Sequence, residues 1–129
     1  MGQRGRTNPM SSYKHLIVWK KSIDLVRAIY TVSGSFPREE RFGLTAQLRR
    51  AAVSIPSHIA EGNGRNSRSE YIHFLNVARG SCFEVDTQLT ICGEIGFCDQ
   101  ATLEPLFSLT QEIGRILNAM IQTLSLPKN

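Results

Sequence analysis

From Tyr71 to Cys92, apolar or small residues recur at alternating steps of four and three: Tyr71, Leu75, Ala78, Cys82, Val85, Leu89 and Cys92. The same steps return at Leu103, Leu106, Thr110, Ile113, Leu117, Met120 and Leu124. A strand repeats every second residue, so this spacing selects helices, and the narrow seam it draws is that of a helix packed in a bundle. Each run covers about six turns.

The ends of the two helices are written beside their seams. Ser67-Arg68-Ser69-Glu70 fits a capping box at the start of the first, and Asp99 is an N-cap candidate for the second, which ends before Pro127. Gly80, in the middle of the first seam, costs about 1 kcal/mol relative to alanine, so a close neighbouring backbone is expected there.

Two further helices precede them. Between Tyr13 and Ser33 a stripe of Leu16, Trp19, Ile23, Val26 and Tyr30, widened by Leu25, Ile29 and Val32, has the helical period and stops at Gly34 and Ser35-Phe36-Pro37. A second stretch, Glu39 to Gly62, places Leu44, Leu48, Ala51, Ile55 and Ile59 on one face. Pro56 lies inside it and predicts a bend rather than an end, and Gly62-Asn63-Gly64 supplies residues that tolerate positive φ for the stop.

Four helices joined by short connections prefer antiparallel neighbours, so the fold class is all-α, an up-down-up-down four-helix bundle. The 129 residues suffice for one core but not for two. Residues 1–12 read as a flexible basic tail, 13–126 as the bundle and 127–129 as a short tail. No apolar run approaches the roughly 20 residues of a membrane-spanning helix, and MGQRGRTNPM has charge without a signal peptide's apolar core. A cytoplasmic protein with no membrane partner is the expectation.

Charge is divided along the chain. Met1 to Arg79 carries thirteen Lys or Arg against five Asp or Glu, whereas Gly80 to Asn129 carries two against six. Arg38, Arg41, Arg49, Arg50, Arg65, Arg68 and Arg79, with Lys20 and Lys21, therefore predict a basic surface suited to phosphate, with Lys14 and Arg27 extending it. The competing use of these groups is intramolecular, since Glu39, Glu40, Glu61 and Glu70 are near in sequence and Glu61 stands four residues before Arg65.

No pattern of residues marks an enzyme. Glu70-x-x-His73 resembles half of a di-iron motif, but it occurs once, and His73 stands about 200° from Tyr71 around the helix. A capping Glu70 and a surface His73 account for both, so neither metal nor cofactor is expected. Cys82, Cys92 and Cys98 lack CxxC spacing, and the first two fall on the seam, which favours buried thiols over a disulfide or a nucleophile. Gly62-Asn63-Gly64-Arg65-Asn66 follows no strand and precedes no Gly-Lys-Ser/Thr, so as a nucleotide loop it is weak; as a turn at the start of a helix beside Arg65 and Arg68 it is a candidate anion contact.

The run RAAVSIPSHIAEGNGRNSRSEYIHFLNVARGSCFEVDTQL, Arg50 to Leu89, resembles the four-helix bundle family of 23S rRNA intervening-sequence proteins. The likeness rests on Ser54-Ile55, Ile59-Ala60-Glu61-Gly62, Arg65, Ser67, Glu70, Phe74-Leu75, Ala78, Gly80-Ser81 and Glu84, with Trp19-Lys20 also familiar. His58 departs from it, where the family often has asparagine. The resemblance implies a left-handed bundle assembled into a homo-oligomeric ring, commonly a pentamer, and relatives that include accessory proteins of diversity-generating retroelements. Among the matching polar residues Ser54, Glu61, Arg65 and Glu70 surround one turn, and Ser54, His58, Glu61, Ser67 and Glu70 are read as a structural polar network that fastens helices two and three or a subunit contact. Together with the charge pattern, it leads to the expectation of a non-catalytic, oligomeric protein that contacts nucleic acid, RNA foremost, through its arginines. The alternative is a homo-oligomeric scaffold for an acidic protein or a reverse transcriptase.

Overall fold

The computed structural model describes residues 12–127. Its four α-helices are α1 (Ile17–Ser33), α2 (Leu44–Asn63), α3 (Arg68–Glu94) and α4 (Gln100–Leu124), with 3-10 turns at Ser12–His15 and Arg38–Glu40 and no strand among the described residues. Each helix packs on its sequence neighbours, and α1 closes the square against α4.

Cross-helix contacts set the directions. Ser12, ahead of α1, donates to Asn63 Oδ1 at the end of α2 (3.1 Å), while Arg49 near the start of α2 reaches Ser33 at the end of α1. Arg68 at the start of α3 bonds the Leu124 carbonyl at the end of α4. Phe36 and Phe97, from the α1–α2 and α3–α4 connections, meet with ring centroids 5.5 Å apart at the opposite end. The bundle is therefore antiparallel throughout, as expected from its spacing. Ser12, assigned to the tail by sequence, is part of the 3-10 turn Ser12–His15, and the rest of that expected tail lies outside the described residues.

The seams of α3 and α4 form the core nearly as read: Leu75, Ala78, Cys82, Val85, Leu89, Cys92, Leu103, Leu106, Thr110, Ile113 and Leu117 are buried. Tyr71, Met120 and Leu124 pack on its margin. On α2, Leu48, Ala51, Ile55 and Ile59 are buried with Ala52 and Pro56. The helix continues through Pro56, where the imino nitrogen leaves the Ala52 carbonyl without its usual partner.

On α1 the core stripe differs from the expected one. It is Val18, Ser22, Leu25, Ile29 and Ser33, while Trp19 and Val26 flank it and Tyr30 is exposed. Two serines hold core positions because their hydroxyls are satisfied: Ser22 donates to the Trp19 carbonyl one turn back (2.7 Å), and Ser33 accepts from Arg49 of α2. A stripe drawn from hydropathy passes over them.

Helix α2 begins at Leu44, not Glu39. Gly43, at φ −106° and ψ −115°, lies outside the helical region. The Glu40 carboxylate turns back to accept from Leu44 N–H (3.0 Å), so a residue placed inside the helix by sequence becomes its cap. A Cβ on Gly43 would stand 2.8 Å from that carboxylate oxygen.

Two glycine expectations are also corrected. Gly80 is exposed and a Cβ there would meet nothing within 4 Å, so no neighbouring backbone approaches it. The close approach is at Gly62, where a Cβ would lie 2.8 Å from Phe74 Cβ and 3.1 Å from the Tyr71 ring. The stop of α2 uses no positive φ, since Gly64 has φ −83°; among the described residues only Gly96, at φ 83°, takes that conformation.

Candidate nucleic-acid interface

The basic residues do not form one surface. Arg38, Arg41, Arg49 and Arg50 gather where α1 passes into α2, whereas Arg65 and Arg68 lie at the α2–α3 turn. From Arg50 to the end of α2 is thirteen residues, so the groups stand about 20 Å apart along the bundle. Arg79 belongs to a third place, a cavity of about 420 Å³ between α3 and α4 shared with Phe83, Asp86 and Arg115. Lys20 is exposed on α1, and Lys21 pairs with Glu112 of α4 at 3.1 Å.

The α1–α2 group has the most available charge. Among the described residues, Arg38, Arg41, Arg49 and Arg50 form no ion pair; the carboxylate of neighbouring Glu40 is committed to the α2 cap. Tyr30, Arg41, Thr45, Ala46, Arg49, Arg50 and Val53 line a shallow cavity of about 380 Å³. Two arginines there are held by aromatic rings: Arg49 Cζ lies 4.4 Å from the Tyr30 centroid and Arg41 Cζ 4.9 Å from that of Phe42. Arg49 is fixed further by Nε donating to Ser33 Oγ (2.8 Å) and Nη2 to the Tyr30 carbonyl (3.4 Å). Such contacts orient a guanidinium without neutralising it. Helical periodicity places Tyr30 in the core stripe and does not single out Phe42 or Val53; the one signal is Phe42 between Arg41 and the helix-breaking Gly43.

At the other end the arginines have internal duties. Arg65 bonds Glu61 (2.7 Å), approaches Glu70 (3.6 Å) and covers the Phe74 ring at 4.9 Å. Arg68 Nη1 donates to the Leu124 and Leu126 carbonyls, both at 3.0 Å, closing the C-terminal end of α4 where helix carbonyls lack partners. Ser67 caps α3 by accepting from Glu70 N–H (3.1 Å), while the Glu70 side chain turns to Arg65 in place of the reciprocal half of the box.

The expected polar network falls into two parts. Glu61, Arg65, Ser67 and Glu70 form the exposed turn just described. Ser54 and His58 lie higher on α2: Ser54 pairs with Ser81 Oγ across to α3, and His58 Nδ1–H donates to the Ser54 carbonyl (2.8 Å). His58 stacks on Phe74 (6.1 Å, 15°) and exposed His73 meets the same ring edge-on (5.0 Å), so Phe74 joins the parts.

Burial pushes the Cys82 thiol up to about 12 and that of Cys92 to about 11, and raises Cys98 as well, so all three are protonated and weakly nucleophilic near neutrality. Among the described residues, no three His, Cys, Asp or Glu side chains are grouped to hold a metal ion, and no helix is long and apolar enough to cross a membrane.

Four antiparallel helices with an arginine-rich end define a small, basic four-helix-bundle protein. Residues 14–119 match the family described as 23S rRNA-intervening sequence protein, and the chain belongs to that family. A similar solved structure is a protein with unknown function from the S23 ribosomal protein family of Bacteroides thetaiotaomicron. It aligns with TM-score 0.77 and 23% identity over 82% of this chain and 99% of its own, a likeness of fold. No curated protein matches.

Proposed function

We propose that this protein is a non-catalytic, cytoplasmic, homo-oligomeric nucleic-acid-binding bundle, associated with RNA, whose α1–α2 end contacts phosphates. The observation that carries this reading is the group Arg41, Arg49 and Arg50 around one cavity, with Arg38 in the turn before it, which has no ion pair among the described residues although carboxylates at the far end neutralise Arg65. Guanidinium groups seated on rings are ready to receive a phosphate with little further ordering. Family membership favours RNA as the source of that phosphate.

Binding through three or four phosphates carries a steep salt dependence, with a log–log slope of about −2 to −3 on a single strand. Titrating labelled RNA against the full chain at several salt concentrations measures it. The slope and affinity fall together in an Arg41→Ala/Arg50→Ala variant. Negligible binding at low salt by the wild type removes this reading. If a protein partner is captured from nuclease-digested lysate and RNA never competes with it, the oligomeric scaffold for an acidic protein takes its place.

A further inference from the structure

We infer that the α1–α2 end is a site for single-stranded nucleic acid, in which Phe42 and Tyr30 receive unstacked bases while the arginines hold the backbone. The inference rests on the nucleic-acid reading above and names the form of the ligand.

Phe42 carries it first. The side chain is 85% exposed in the turn that precedes α2, and no core position claims it. One exposed apolar side chain on a surface is ordinary. Here, however, it adjoins Arg41, one of the largest group of unpaired arginines among the described residues, and a second aromatic, Tyr30, is 44% exposed in the wall of the cavity that Arg41, Arg49 and Arg50 line. Each ring has a guanidinium near it, Arg41 on Phe42 and Arg49 on Tyr30, so each aromatic face is paired with a positive charge.

That pairing of ring and charge matches the chemistry of single strands. A duplex hides its base faces in its own stack and offers this surface only phosphates, for which arginines suffice and an exposed phenyl ring adds nothing. A single strand presents phosphate and an open base face at each nucleotide, and bases stack readily on aromatic rings and on guanidinium planes. At this site Arg41 and Arg49 already lie on rings and can be joined by a base on the ring's open face or displaced by it toward the backbone. Val53 adds an apolar surface beside them. The arrangement has no visible means of reading one base from another, so sequence preference is slight.

The test uses the full chain, fluorescein-labelled oligouridylate, and the same oligomer annealed to oligoadenylate. Wild type binds the single strand more tightly than the duplex. Phe42→Ala weakens single-strand binding about tenfold and duplex binding much less, since the duplex loses only the seating of Arg41. Phe42→Trp retains affinity, and its indole fluorescence is quenched by the bound strand. Circular dichroism of both variants matches wild type, since the ring is outside the core. Oligodeoxythymidylate forms a parallel arm: tighter binding than oligouridylate assigns DNA as the source of the strand, weaker binding assigns RNA, and either supports the site. Equal affinity for strand and duplex, with Phe42→Ala silent and Arg50→Ala weakening both, overturns the single-strand inference and leaves the phosphate reading standing. Absence of binding to every oligomer overturns both.

Discussion

Arg49 crosses from α2 to Ser33 on α1, its Nε 2.8 Å from a hydroxyl buried in the core stripe, while its guanidinium lies over Tyr30. One side chain thus joins the packing of two helices to the surface chemistry of the site. Arg50, its neighbour in sequence, is exposed and makes no comparable bond among the described residues.

The two arginines therefore separate under mutation. Arg49→Ala deprives the Ser33 hydroxyl of its charged donor and costs about 1–2 kcal/mol of stability, together with any loss in RNA affinity. Arg50→Ala changes stability by less than about 0.5 kcal/mol, so its effect on binding reports phosphate contact alone. Urea denaturation beside an RNA titration distinguishes them. Equal stability losses would contradict the anchoring role of Arg49.

Gly62 and Gly80 make an opposed pair. A methyl at Gly62 meets Phe74 Cβ at 2.8 Å, with the backbone of α3 behind it, so Gly62→Ala forces α2 and α3 apart and costs about 1–3 kcal/mol. Gly80→Ala meets nothing and improves helix propensity, stabilising by about 0.5–1 kcal/mol. Thermal melts of the two variants shift in opposite directions.

Arg68 acts at the far end of another helix. Its Nη1 serves the Leu124 and Leu126 carbonyls, so Arg68→Ala frays the last turn of α4 and costs about 1–2 kcal/mol. Faster amide hydrogen exchange confined to residues near Leu124 is the expected signature. RNA affinity changes little, because the α1–α2 end stands about 20 Å away along the bundle.

The fold was legible where hydropathy and burial coincide. The seam of α4 is sharp because leucine or isoleucine fills every buried position except Thr110, and that of α3 because Leu75, Val85 and Leu89 alternate with small Ala78, Cys82 and Cys92. Reading failed where polar groups enter the core on satisfied bonds, as Ser22 and Ser33 do, and where a carboxylate caps a helix four residues ahead, as Glu40 does. The Arg residues of the site were legible as a set, but not their division. Spacing along a helix cannot say that Arg68 turns to the carbonyls of a helix more than fifty residues away, or that Arg49 finds Ser33 and Tyr30. Phe42 was missed because a single aromatic outside a periodic stripe carries no pattern.

The cysteines link the core to alkaline pH. In the unfolded chain a thiol ionises near 9, but in the fold burial holds Cys82 near 12 and Cys92 near 11. Below pH 9 both states keep their protons and the thiols contribute no pH dependence. Above it the unfolded state loses protons that the folded state retains, so stability falls as pH rises, by up to about 1.4 kcal/mol per pH unit for each thiol. The loss runs from about pH 9 to the folded values near 11 and 12. Urea midpoints between pH 8 and pH 11 should decline for wild type and flatten for a Cys82→Ala/Cys92→Ala variant, whose baseline stability is lower because of the small cavities left. In native protein at pH 8, maleimide labelling should reach half-buried Cys98 first, with Cys82 and Cys92 modified only as the bundle opens. Rapid labelling of Cys82 in the native state would contradict its placement in the core.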